Sequence, residues 1–116
     1  MEILEWITTG LLVLAMFGIG GMKLVGNKDG IEQAKRLGYY EIMKPIGVAE
    51  VSTGAGVLIG ALITDLEWLG IACAAGIIAM MIGAAGFHIR AKDRFETLPS
   101  IIVGTAAALY IVALTN

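Results

Sequence analysis

The sequence predicts an all-α integral membrane protein: a four-helix bundle running up-down-up-down, both termini outside, with a short amphipathic helix in the first cytoplasmic connection. Three observations carry this. Apolar residues make up 58% of the 116-residue chain and the mean hydropathy is +0.85, whereas a soluble domain has about 45–50% apolar residues. Marking the charges leaves four apolar runs, at 6–22, 46–64, 68–87 and 98–114. As helix, each is long enough for a hydrocarbon core of roughly 30 Å, and none has the polar face that a water-soluble bundle needs. Finally, all eight Lys and Arg fall in two places. Lys23, Lys28, Lys35, Arg36 and Lys44 separate the first two runs, and Arg90, Lys92 and Arg94 separate the last two. Four crossings put both connections on one side, and the positive-inside rule makes that side cytoplasmic. The length fits one domain, residues 1–116.

The first predicted helix spans about 3–22. Its acidic start, Glu2 and Glu5, lacks the basic region of a signal peptide, so it is expected to be retained. Gly18, Gly20 and Gly21 near its end permit close backbone approach. Lys23 follows, either as a lysine reaching to the interface or as a cation facing an acid inside the bundle. In the connection, Asn27, Asp29 and Gly30 are turn and capping types. Ile31, Ala34 and Leu37 alternate with Glu32, Lys35 and Arg36, which predicts an amphipathic helix over 31–37 stopped by Gly38. Tyr39 and Tyr40 are expected at headgroup level.

The second long helix is predicted over 45–64, with Pro45 in its first turn. Gly47, Glu50, Gly54 and Ala61 share one face of it, and Ser52, Gly56 and Gly60 form a second small-residue stripe. Asp65, Leu66 and Glu67 make a short outer turn into a third helix over 68–88, which Ala72, Gly76, Ala79 and Gly83 keep thin. Trp6 and Trp68 then sit at the outer boundary, as aromatic belts do. Met80, Met81 and Ile82 read as lipid-facing or core-filling residues and not as a metal-binding methionine box. A local pair, Arg90 with Asp93, is expected after this helix. The fourth helix, over 98–115, carries no formal charge and presents Ser100, Gly104 and Ala108 at packing spacing; it closes the bundle.

Glu50 stands out in this pattern. It is the one acid deep inside an apolar run, and an acid there costs roughly 2.5–3.5 kcal/mol on insertion scales. It needs a partner or a use. Lys23, His88 and Arg90 lie toward the same end of the bundle and are its candidate partners, so Lys23, Glu50, His88 and Arg90 form the candidate polar or ligand-binding cluster. A carboxylate, an imidazole and cations around an apolar cleft can hydrogen-bond a quinone carbonyl and pass protons. The same acid can equally be structural, pinning helices together.

Other chemistries find no support. One cysteine, Cys73, excludes an internal disulfide and a CxxC pair, and one histidine excludes a haem or strong transition-metal site. The Gly18–Gly21 cluster ends a helix instead of opening one after a strand, so it is no phosphate loop. There is no nucleophile elbow, no Ser/His/Asp set and no nucleic-acid surface. The chain alone offers no complete catalytic constellation.

Three stretches together resemble one family: Gly20-Gly21-Met22-Lys23-Leu24, Pro45-Ile46-Gly47-Val48-Ala49-Glu50-Val51 and Gly83-Ala84-Ala85-Gly86-Phe87-His88-Ile89-Arg90. Their order and spacing are similar to those of the DoxX-like family of small membrane proteins. The resemblance implies a four-helix bundle in a prokaryotic cytoplasmic membrane. It links the wider group to oxidoreductase assemblies, including the membrane subunit of a thiosulfate:quinone oxidoreductase. A distant animal relative is an assembly factor for acetylcholine receptors. Lys23, Glu50, His88 and Arg90 are the motif positions carried over; redox roles that need paired thiols do not fit the lone Cys73.

Three readings of function stay open at this point. One is an accessory subunit of a membrane oxidoreductase system that binds a quinone or other small molecule. Another is a membrane assembly factor that binds other transmembrane helices, which the dense glycine and alanine faces favour. The last is a small proton-coupled carrier using Glu50. The bilayer is the expected first partner, with a second copy or another membrane protein beside it.

Overall fold

In the computed structural model, residues 3–92 and 97–115 are described; the expected pair of Arg90 with Asp93 lies outside them. Four long helices and one short one make up almost all of these residues. They are α1 (Ile3–Val25), α2 (Lys28–Leu37), α3 (Met43–Leu62), α4 (Glu67–Arg90) and α5 (Leu98–Thr115), with single 3₁₀ turns at Tyr40–Ile42 and Thr64–Leu66. The long helices pack in a ring, α1 on α3, α3 on α4, α4 on α5 and α5 back on α1. Neighbours run antiparallel where glycines mark the contacts. Gly20 faces Gly47 while Gly54 faces Met16, and Gly56 faces Cys73 while Gly60 faces Gly70.

Four segments are long and apolar enough to cross a membrane: Ile3–Val25, Tyr40–Leu62, Thr64–Arg90 and Leu98–Thr115. A 23-residue helix such as α1 extends about 34 Å, enough for the hydrocarbon core. Large side chains point outward: Leu14 is 77% exposed and Ile82 69%. Small ones fill much of the inside, as expected where lipid and not water surrounds the bundle.

Element ends differ slightly from expectation, for local reasons. The amphipathic helix begins before 31, at Lys28, because the Asn27 side chain accepts a hydrogen bond from the Gly30 N–H at 2.9 Å. It stops at Gly38 as expected: φ there is 88°, and the Gly38 N–H donates back to Ala34 O at 2.9 Å. α3 begins at Met43, so Pro45 sits inside the first turn, where no intrahelical donor is lost.

The packed faces are the larger correction. Gly47, Glu50, Gly54 and Ala61 are all buried, as expected, but Ser52 of the second stripe is exposed. On α4 the small residues Ala72, Ala79 and Gly83 are exposed, and Gly70, Ala74, Ile77 and Met81 are buried. On α5, Ser100 is buried but Ala108 is exposed, and Val103, Ala107 and Tyr110 face inward. Both helices carry small residues on several faces, so spacing alone does not choose one. The larger residues Ile77, Met81, Val103 and Tyr110 decide, because they fill the shared core with Leu12, Met16 and Val57.

Candidate functional site

Close backbone contact between α1 and α3 creates the site. A Cβ on Gly20 would lie 2.9 Å from Gly47 O, and one on Gly47 would lie 2.9 Å from Gly20 O. No larger residue fits either position without moving backbone. Each glycine stands one helical turn before a charged residue, Gly20 before Lys23 and Gly47 before Glu50. Bringing the glycines together therefore brings the charges together. Lys23 Nζ donates to Glu50 Oε1 at 2.6 Å, with side-chain exposures of 19% and 1%. An ion pair this enclosed trades desolvation against attraction, and loss of one partner is costly.

Beside the pair lies a cavity of about 840 Å³ at one end of the bundle. That volume is within the range of small-molecule pockets. Every helix contributes to its wall. Ile19 and Lys23 come from α1, Ile46 and Glu50 from α3, Met80, Met81, Phe87 and His88 from α4, and Pro99 and Ser100 from α5. The α2 side supplies a charged rim of Asp29, Glu32 and Arg36. Apolar side chains thus surround a few convergent polar groups, the usual make-up of a site for a small apolar molecule with a polar head.

The four expected residues are not all used alike. Lys23 and Glu50 bond each other. His88 lines the same cavity, and its Nδ1 is buried. Arg90 turns to α2: Nη2 donates to Leu37 O at 3.2 Å, and the guanidinium carbon lies 5.2 Å from the Phe87 ring centroid. It ties the end of α4 to the end of α2 in place of joining Glu50.

Tyr39 is the residue that sequence reasoning, which expected it at headgroup level, did not bring to the site. It is half-buried in the cavity wall, its ring 5.5 Å from that of Phe87, centroid to centroid, with Lys23 Nζ 5.7 Å over its own centroid. Burial pushes its phenol above the ordinary tyrosine range and the Glu50 carboxylate adds to that push, while Arg36 pulls the other way. The phenol therefore stays protonated and able to donate at neutral pH. The available signal was Gly38: a left-handed residue reverses the chain, so the next residue turns back over the bundle. Tyr40 is exposed, with Lys35 Nζ 5.0 Å over its ring. No group of three or more His, Cys, Asp or Glu gathers to hold a metal among the described residues.

Fold and site together define an integral membrane protein whose helices enclose a buried ion pair at the edge of an end cavity. The family model of the DoxX-like family matches residues 7–111, which include Lys23, Glu50, His88 and Arg90, and the chain belongs to that family. No curated protein and no solved structure matches the chain significantly.

Proposed function

We propose that the protein is an accessory subunit of a membrane oxidoreductase system and binds a quinone, or a similarly flat membrane-soluble molecule, in the end cavity. In this reading it sits in a prokaryotic cytoplasmic membrane. Its helices run up-down-up-down, its basic connections face the cytoplasm and its termini lie outside, consistent with the charge distribution. The observation that carries the reading is the cavity itself, about 840 Å³ of mostly apolar space beside Lys23 and Glu50. Lys23 and Tyr39 are donors for a carbonyl oxygen, and Met80 and Phe87 offer surfaces to a ring. Solvent extraction of protein purified gently from its own membrane tests this. Bound quinone is expected in the extract, and added quinone should saturate protein that has been stripped. Protein that carries none and takes up none refutes the reading.

One observation favours a second reading, a membrane assembly factor. Ala72, Ala75, Ala79 and Gly83 form a run of small residues along the exposed side of α4. Small residues let another helix approach closely. A photo-crosslinker placed at Ala79 in native membranes should then capture a protein, either a second copy or another chain. Adducts with lipid alone would exclude this reading.

A further inference from the structure

The short helix α2 is held differently from the long ones. The long helices meet through glycines at backbone contact, as Gly20 meets Gly47 and Gly60 meets Gly70. Gly26, Gly30 and Gly38, within α2 or flanking it, have no backbone of another helix within 4 Å of a Cβ position. Even so, α2 belongs to the site. Asp29, Glu32, Gln33 and Arg36, spaced three and four apart, share one of its faces and line the end cavity.

Both ends of α2 can turn. Gly26 precedes it at φ 70° and Gly38 follows it at φ 88°. Glycine passes between that left-handed region and the rest of the map more easily than any other residue. Between these two points the helix is capped at each end. The Asn27 side chain accepts from the Gly30 N–H, and the Gly38 N–H donates to Ala34 O. Ten residues, about 15 Å of helix, can therefore move as one piece. Arg90 of α4 closes over the C-terminal end. Its Nη2 donates to Leu37 O at 3.2 Å and its guanidinium lies on the Phe87 ring. Gly38 leaves room for it, since a Cβ there would lie 3.3 Å from Nη2. Arg90 is exposed, so water can replace Leu37 O as its partner at little cost.

We propose that α2 is a hinged cover on the end cavity and that Arg90 is its latch: the ligand enters and leaves when Arg90 releases Leu37 and α2 swings about Gly26 and Gly38. This rests on the reading of the cavity as a binding site and says how that site exchanges its ligand. The seam between α1 and α3 offers no other route, because the Gly20–Gly47 contact and the Lys23–Glu50 pair close it. Hinges of this kind are a few element-terminal residues that absorb the change in φ and ψ. A cover changes entry and exit together, whereas a residue that only forms the wall acts on exit.

Two measurements on the full-length protein in detergent test this. The first uses no ligand. Nitroxide labels at Lys35→Cys on α2 and Ile102→Cys on α5, both exposed positions, are placed in a Cys73→Ala background. Pulsed electron spin resonance then reads the distance from α2 to the bundle. With Arg90 in place, a main distance and a smaller, longer one are expected, and Arg90→Met should enlarge the longer share at least about threefold. A single distance that Arg90→Met leaves unchanged would overturn the cover. The second measurement follows binding of duroquinone, a small and fully substituted quinone, by surface plasmon resonance. Arg90→Met should raise the association and dissociation rates together, each at least about threefold. Gly26→Asn should lower both, because asparagine tolerates the left-handed conformation but leaves it less freely. There is room for that side chain, the nearest atom to a Cβ being Ile31 Cδ1 at 3.9 Å. Faster dissociation of Arg90→Met with unchanged association would make Arg90 part of the wall and overturn the latch. If duroquinone binds to no form, the proposed function falls, and the distance measurement alone decides the cover.

Discussion

At the Tyr110 end of the bundle, Gly60 and Gly70 bring α3 against α4, and the Tyr110 hydroxyl closes over them, donating to Val57 O at 2.7 Å. At the Lys23 end, Gly20 and Gly47 bring α1 against α3, and a lysine and a glutamate close over them. Both ends pair glycines and set a polar group beside the contact. The outcomes differ because of what surrounds each group. Tyr110 is fully buried within the apolar core, and its hydroxyl is satisfied by backbone. Glu50 is nearly as buried, yet it faces an 840 Å³ space and is held by the Lys23 side chain instead of by backbone. A polar group that is satisfied locally locks helices together. One that is held by a countercharge beside a cavity is open to whatever occupies that cavity. On this comparison the first end is built for packing, and the second is the end proposed to take a ligand.

The largest effect is expected from breaking the ion pair. Lys23→Met keeps the length and apolar stem of the side chain but leaves Glu50 enclosed without a countercharge. Removing one partner of a buried pair costs about 3–5 kcal/mol; with the Lys23 side chain 19% exposed, the lower part of that range is expected. Unfolding titrations in mixed detergent micelles would measure it. A loss no greater than that of Tyr110→Phe would make the two ends energetically alike and remove the contrast.

Next comes Gly70→Ala at the closed end. A Cβ there would collide with the Tyr110 hydroxyl and come within 3.0 Å of Gly60 Cα. Overpacking of this kind costs about 1–3 kcal/mol. Because the nearest atom is a phenol oxygen, adding Tyr110→Phe should recover part of the loss, although Tyr110→Phe alone costs about 1 kcal/mol through its lost hydrogen bond. The same unfolding titration applied to both single variants and the double reads the coupling. Strict additivity would show that the two residues do not share one contact. Ligand affinity at the other end should not change in any of the three.

These two ends were not equally legible in the sequence. The four spans were plain because hydropathy and length act on whole segments, and an isolated acid inside one is conspicuous whatever surrounds it. Gly47, Glu50 and Gly54 could be placed on one face because the rest of that helix contrasts with them. Lys23 could be paired with Glu50 only as one choice among three cations or imidazoles, since the glycine contact that selects it depends on how α1 meets α3. Tyr39 read as an interfacial tyrosine, because its inward turn is set by the reversal at Gly38 together with the position of Phe87 on another helix. Tyr110 drew no attention, because an aromatic residue in an apolar run looks like any other core residue until a carbonyl lies in front of its hydroxyl. On α4, small residues on several faces left the buried face undetermined.

The smallest effect on the bundle itself should come from Gly83→Ala. Gly83 is exposed on α4 where that face borders the end cavity, and nothing lies within 4 Å of where a Cβ would be. Alanine there fills no occupied space and removes the entropic penalty of a mid-helix glycine, so monomer stability should stay level or rise by about 0.5–1 kcal/mol. This makes the variant a sensitive probe of anything outside the chain. If another helix lies against this face of α4, the added methyl group must push it away, and Gly83→Leu must do so more strongly. The measurement is therefore two-sided: unfolding of the isolated protein, and recovery of crosslinked complexes from native membranes. Unchanged unfolding with complexes lost would assign the α4 face to a partner, seated beside the open end. Unchanged results in both would leave that face to lipid, and the difference between the closed end and the open end would account for the protein's chemistry without it.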